Sequence, residues 1–461
     1  MRRPQPSISR RAFLLSSAGA ALSSKSALAA RANEVPVAPT ALKPSERQFL
    51  EDYARRCFRF FWEQGSDKTG LTMDRARMDG TPSGTNICSS GASGFGLTAL
   101  CIGADHGWVP KAQARARVVT ALRFLWTHSF HDHGWFLHFV DGNTGARKMN
   151  SEISSIDTSL LLAGVLTAAS YFANDREINQ LAHQIFDRVD FAWMLNGDPF
   201  LLAHGVMPGS GFLPFRWTAY SEASILYLLA IGSTKHPIPA ESWYRWLRPE
   251  VRYQEWTFIS GGPIFTHQFS HAWVDFRHQE DGDPYYTDFF RNSQLATYAH
   301  RDFCISLQSK YSDYGPNMWG ITVSDSPRGY VAWGGPPFAG PINGTLVPCA
   351  VAGSVMFTPQ ICLPVLQQML SVYGDKVYQR YGFTDAFNPN WEDKKLWVNP
   401  DVIGIDVGIA LLSIENQLTG NVWRWFMRNP YIQAGMERAG FRLASFGTHI
   451  KETRRVTTHA S

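Results

Sequence analysis

The sequence predicts an all-α fold, a ring of paired helices with helix starts and their loops gathered at one mouth. Three observations predict it. Apolar residues recur at i, i+3 and i+4 over about ten segments, the spacing of one helix face. Period-two alternation is rare and local, as in Gly134-Trp135-Phe136-Leu137-His138-Phe139-Val140. Several helical segments are apolar all round, which suits alternate helices lining the middle of a ring while their partners cover the outside.

In chain order, residues 1–29 read as an export signal. Ser9-Arg10-Arg11-Ala12-Phe13-Leu14 is a twin-arginine pattern, a weakly apolar stretch runs to Leu22, and Ala27-Leu28-Ala29 is a small-residue cleavage site. Such a signal sends an already folded protein to the periplasm or beyond. Residues 30–44 are a Pro/Ala-rich linker, 45–445 one helical domain, and 446–461 a polar tail. Pro44-Ser45-Glu46-Arg47-Gln48 opens the first helix, with Ser45 and Gln48 as a capping box. Phe49, Leu50, Tyr53, Ala54, Cys57, Phe58 and Phe61 form its apolar face, and Gly65 ends it. Similar stretches follow near 91–105, 111–129, 155–174, 177–195, 219–232, 286–308, 359–374 and 404–419. Loops rich in Gly, Pro and Trp at 203–217, 255–285 and 311–350 are long enough to read as functional.

Composition excludes several function classes. The 43 Lys+Arg and 39 Asp+Glu give a formal +4, but residues 1–29 hold five of the positives and no acid. Without them the balance is 38 to 39, so nothing suggests a nucleic-acid partner. With 44% apolar and 18% charged residues the chain is not a disordered one. No segment after the signal offers 18 charge-free apolar residues, so no membrane span is expected. Six scattered cysteines without a CxxC should be small buried apolar groups. Sixteen Trp, 16 Tyr and 30 Phe suit a large core, a carbohydrate cleft, or both.

Three carboxylates stand at the openings of apolar helices. Glu222, in Tyr220-Ser221-Glu222-Ala223-Ser224-Ile225-Leu226, shares a helical face with Ile225, Leu226 and Leu229. Burial there favours the protonated form that a general acid needs. Asp157, in Ser154-Ser155-Ile156-Asp157-Thr158, is either functional or the third residue of a helix capped by Ser154. Asp406, in Gly404-Ile405-Asp406-Val407-Gly408, is either a base kept ionised by the helix start or simply a dipole-stabilised acid. Asp385 is a weaker candidate that reads as an Asx turn. Paired acids of this kind fit glycoside hydrolysis, which needs a proton donor and a second carboxylate. No nucleophile elbow, P-loop or dinucleotide fingerprint competes.

His267, His271 and Asp275 recur every four residues, a zinc-like spacing if helical. Gln268 stands where an HExxH protease carries its glutamate base, and an amide cannot take that proton. A metal is not the preferred reading of this spacing, and because twin-arginine export often serves cofactor enzymes the cofactor question stays open at this point. His267, Gln268, His271 and Asp275 read instead as polar contacts for sugar hydroxyls, with Trp273 and Trp319 as ring platforms.

The ordered blocks Ser93-Gly94-Phe95-Gly96-Leu97-Thr98-Ala99-Leu100, Glu152-Ile153-Ser154-Ser155-Ile156-Asp157-Thr158 and Ala219-Tyr220-Ser221-Glu222 begin a wider pattern. It continues through Pro263-Ile264-Phe265-Thr266-His267-Gln268-Phe269-Ser270-His271-Ala272-Trp273-Val274-Asp275-Phe276-Arg277, Asn317-Met318-Trp319-Gly320-Ile321-Thr322 and Asn343-Gly344-Thr345. Gly404-Ile405-Asp406-Val407-Gly408 through Glu415-Asn416 closes it. From about Phe49 to Phe441 the chain resembles the glycoamylase-like family, which contains glycoside hydrolase family 144 and a region of cyclic β-1,2-glucan synthases. The resemblance implies an (α/α)6 barrel with a cleft at one end, inverting hydrolysis of β-1,2-glucan, and no cofactor. It maps the acid onto Glu222 and the water-activating base onto Asp406. It also puts Asp157 in the same cleft, holding a sugar hydroxyl, and Tyr220 is counted with the substrate-binding residues. Two rivals make different products: a carbohydrate-binding protein releases none, and a polysaccharide lyase releases unsaturated ends.

Overall fold

The computed structural model describes residues 41–392 and 395–444. The twin-arginine segment, residues 30–40 of the linker and the tail 446–461 lie outside the described residues. Twelve α-helices follow one another among the described residues. They are α1 (Pro44–Glu63), α2 (Ser90–Asp105), α3 (Lys111–Thr127), α4 (Ser155–Tyr171), α5 (Arg176–Asp187) and α6 (Ser224–Gly232), then α7 (Phe289–Ser306), α8 (Pro348–Ala352), α9 (Pro359–Tyr373), α10 (Gly404–Leu418), α11 (Asn421–Phe426) and α12 (Pro430–Arg438).

Two classes of helix make the barrel. Helices α2, α4, α6 and α10 are buried nearly all round, whereas α1, α3, α5 and α12 bury one face. The inner elements meet in a closed sequence. Helix α2 packs on α4, and α4 on α6. The Ser270 hydroxyl accepts from the Ile225 N–H of α6 at 3.0 Å. From the same segment, Gln268 donates to the Ala350 carbonyl and Ser354 hydroxyl at α8, both at 2.8 Å. Helix α8 then packs on α10, and α10 on α2. Outside, α1 covers α2 and α10, α5 covers α4, α12 covers α6, and α9 covers α8.

The α2–α4 crossing explains the small residues of the Ser93-Gly94-Phe95-Gly96 block. A Cβ on Gly94 would lie 2.0 Å from the Leu160 carbonyl oxygen, and one on Gly164 would lie 2.1 Å from that of Gly94. Only glycine allows these backbones to touch. The reward is dense burial: Leu161, Leu162, Val165 and Leu166 have no exposed surface, each contributing about 1.5–3 kcal/mol.

Several local expectations change. The first helix is capped by Lys43, whose extended backbone N–H donates to the Glu46 carboxylate at 2.8 Å, and not by a Ser45/Gln48 box. Pro44 decides this, because it favours the first turn and keeps its predecessor extended. The helix expected over 219–232 starts only at Ser224. Helices α8, α11 and α12 have no counterpart among the segments the spacing predicts. The long loops carry short antiparallel strands, among them Gly205–Met207 between Ile153–Ser154 and Gly211–Phe212. All six cysteines are buried and outside any disulfide, and no described helix is long and apolar enough to cross a membrane.

At the far end of α2 and α10, His106 and Glu415 make a pH-sensitive clasp. His106 Nε2 lies 2.7 Å from Glu415 Oε2, and the glutamate side chain is fully buried. The hydrogen bond to Glu415 raises the His106 pKa against the opposing effect of burial. A raised histidine value stabilises the fold below the unfolded value of about 6.5 and loses that effect as pH climbs through the folded value. Thermal midpoints measured across pH 5–9 should therefore fall more on the alkaline side for the parent than for His106→Gln. Parallel curves would reject the clasp.

Candidate active site

Short strands set the inner helix starts at a common end. Ile87–Ser89 runs into α2, Ile153–Ser154 into α4 and Asp401–Ile403 into α10. Each is anchored by a partner strand: Phe139–Asp141, Gly205–Met207 and Arg75–Arg77 respectively. The first turns of these helices consequently touch. A Cβ on Gly91 of α2 would lie 2.9 Å from Asp157 Oδ1 of α4 and 3.4 Å from Ile405 Cγ2 of α10. Asp157 and Asp406 are the third residues of α4 and α10, and both are buried.

Glu222 reaches this end by a different device. It sits in the turn just before α6, 6% exposed, so it is not on the helical face that periodicity suggested. Ser270 fixes the turn from 48 residues away, donating to the Glu222 carbonyl at 2.7 Å while accepting from Ile225 N–H. Upstream, Trp217 Nε1 donates to Ser155 Oγ at 2.9 Å, which ties the approach to Glu222 to the first turn of α4, where Asp157 lies. The three acids thus share one end of the barrel.

Asp157 is also a structural residue. Its backbone N–H donates to Ser154 Oγ at 3.0 Å, and the Ser154 hydroxyl donates back to its carboxylate. Its Oδ1 lies 3.5 Å from His138 Nε2, and His138 Nδ1 lies 3.2 Å from Glu152 Oε1. The three residues can offer atoms within 4.8 Å of one another, the spacing of a possible metal site. The imidazole, however, turns a different nitrogen to each carboxylate, which describes an acid–imidazole–acid chain.

Asp406 belongs to a second group. It lines a small cavity together with Asp385, Tyr53, Cys57 and Cys349. Burial, then the charges of Asp406 and Asp325, push the Asp385 carboxyl well above the usual carboxylate range. Arg75 donates to Asp74 at 3.1 Å and to Asp325 at 2.7 Å, and Arg77 donates to Asp401 at 2.9 Å.

The residues expected at sugar hydroxyls have a different setting. His267 and His271 lie on two short 3₁₀ turns, Ile264–His267 and Ser270–Ala272, with Gln268 between them, and all three are at most 2% exposed. His267 Nε2 is 2.7 Å from Ser260 Oγ, and its Nδ1 is 3.2 Å from the Tyr220 hydroxyl. His271 Nε2 is 3.2 Å from Ser293 Oγ, beside the Phe276 and Phe357 rings. Burial holds both histidines down at about 3, so they are neutral. Asp275 is paired twofold with Arg277 at 2.8 Å. Tyr220, Trp273 and Trp319 are buried, the two tryptophans with no exposed surface, so they present no open ring face. Of this segment it is Ser270 that braces the turn carrying Glu222. The 267–271–275 spacing assembles no metal-binding cluster among the described residues, because two 3₁₀ turns send each side chain to a separate neighbour.

His138 and Glu152 gained no role from the sequence, and Asp385 stood as a weaker candidate. Asp385 carried only the weak signal of an Asx turn. The other two meet Asp157 through strand pairing, which no local spacing encodes.

Residues 214–430 match the Glycoamylase family model, described as "Putative glucoamylase". A curated exo β-1,2-glucooligosaccharide sophorohydrolase (non-reducing end) from Parabacteroides distasonis is 27% identical over 440 residues, which is 87% of this chain. The chain spans 59% of that relative's length. The endo-β-1,2-glucanase of Chitinophaga pinensis, solved with sophorotriose and glucose, superposes with a TM-score of 0.77 at 28% identity, covering 87% of this chain and 99% of that one. The β-1,2-glucanase of Parabacteroides distasonis gives 0.77 at 26% identity over 87% of this chain and 61% of its own.

Proposed function

We propose that this glycoamylase-like chain is a glycoside hydrolase acting on β-1,2-glucan, with inversion at the anomeric carbon. The observation that carries the reading is the gathering of Glu222, Asp157 and Asp406, all buried, at the helix-start end of one barrel. Glu222 gives its proton to the leaving glycosidic oxygen, and its dry position favours the protonated state this demands. Asp406 takes a proton from the attacking water, and Asp157 holds a sugar hydroxyl. In an inverting enzyme acid and base stand about 6.5–9.5 Å apart, leaving room for that water. The names of the sophorohydrolase and the two glucanases support the linkage. The closed sequence of six inner elements supports an (α/α)6 barrel. Export through the twin-arginine route, proposed from residues 1–29, would place the enzyme where extracellular glucan is met.

A linkage screen tests the proposal. Purified protein incubated with β-1,2-, β-1,3-, β-1,4- and β-1,6-glucans should release reducing sugar from the first, with the α-anomer appearing first by NMR. Unsaturated ends would identify a lyase, and binding without product would identify a carbohydrate-binding protein; either outcome removes the hydrolase reading.

A further inference from the structure

We propose that Asp385 is a positioning residue for Asp406, donating a hydrogen bond to it from a protonated carboxyl, directly or through one water. The inference rests on the reading of Asp406 as the base. Asp385 is 3% exposed and closely fixed. Its Oδ2 accepts from the Asp325 N–H and from Asn399 Nδ2, both at 2.9 Å, and its own N–H donates to the Asp401 carbonyl at 3.1 Å. Its Oδ1 is buried with no hydrogen-bond partner among the described residues. Both aspartates line one cavity of about 10 Å³, close to the space that one water requires.

The surrounding charges decide where the proton sits. Asp325 and Asp401 are the other acids near the pair. Their arginines are already engaged, Arg75 by Asp74 and Asp325, and Arg77 by Asp401. The remaining titratable neighbours, Tyr53, Cys57, Cys349 and Tyr381, are of types that bring no positive charge. Ionising both aspartates would thus bury two like charges in one cavity, which is the arrangement in which one carboxyl keeps its proton. A proton on Oδ1 gives that orphaned oxygen a donor role and leaves Oδ2 to its two donors. The pair then carries one negative charge, held on the residue that faces the water to be activated.

The test compares the parent with Asp385→Asn and Asp385→Ala, using activity, thermal midpoint and difference infrared spectra. The parent-minus-Asn spectrum at pH 7 should show the C=O stretch of a neutral carboxylic acid. Asp385→Asn should stay within about fivefold of the parent, because an amide N–H replaces the O–H. Asp385→Ala should lose about tenfold or more in kcat with KM unchanged, and the acid limb of its kcat/KM profile should move to higher pH. An Asn variant as inactive as Asp406→Asn, a missing acid band, or an unmoved limb in a folded Ala variant would overturn the proposal. If no glucan is cleaved even by the parent, the hydrolase reading fails by itself, and the infrared band still decides whether Asp385 holds the proton.

Discussion

Glu222→Gln is expected to lower kcat on β-1,2-glucan by about 10³-fold or more, with KM close to the parent value and the fold intact. The amide keeps the volume and the turn, because Ser270 binds the Glu222 backbone carbonyl and not its carboxyl. What it removes is the transferable proton. The deficit should therefore depend on the leaving group. A glucan hydroxyl leaves as a strong base unless protonated, whereas an activated phenol departs without help. On an aryl β-glucoside with a good leaving phenol the Gln variant should recover most of the lost rate, and the alkaline limb of its pH profile should disappear. An equal loss on both substrates would show that Glu222 is not the proton donor. Full activity on glucan would remove it from the mechanism.

How far this site could be read from sequence depends on the range of the interactions that build it. Helices α2, α4 and α10 were legible because nearly every residue in them is apolar, so each declares an inner position without its neighbours. Their acids stood out for the same reason. Glu222 was found by helical periodicity but placed on the wrong structure: the α6 start is set by Ser270, which reaches Ile225 from 45 residues downstream. Helices α8 and α11, only five and six residues long, contain too few turns to display a period. Trp319 looked like a sugar platform since tryptophan serves both cores and clefts, and only packing shows it fully buried. Asp385 was hidden for a related reason. Its chemistry comes from Asn399, Asp325 and Asp406, none of them within ten residues.

Asp406→Asn carries the second large effect, and it should differ from the acid variant in kind. A loss of about 10³-fold is expected on glucan, and a better leaving group should not repair it, because the missing step is activation of the attacking water. A small anion such as azide, which needs no deprotonation, should restore turnover and yield the α-glucosyl azide if the attack inverts. The same substitution bears on stability. Asp406 is among the charges that push the Asp385 carboxyl upward, second only to burial. Removing that charge lowers the cost of the neighbouring acid, so the variant should melt at or above the parent temperature at neutral pH while losing its activity. That opposition is the signature of a charge kept for chemistry at the expense of the fold. A variant that loses activity and stability together would instead mark Asp406 as a helix-start acid serving the dipole of α10, and the search for the base would move to Asp157.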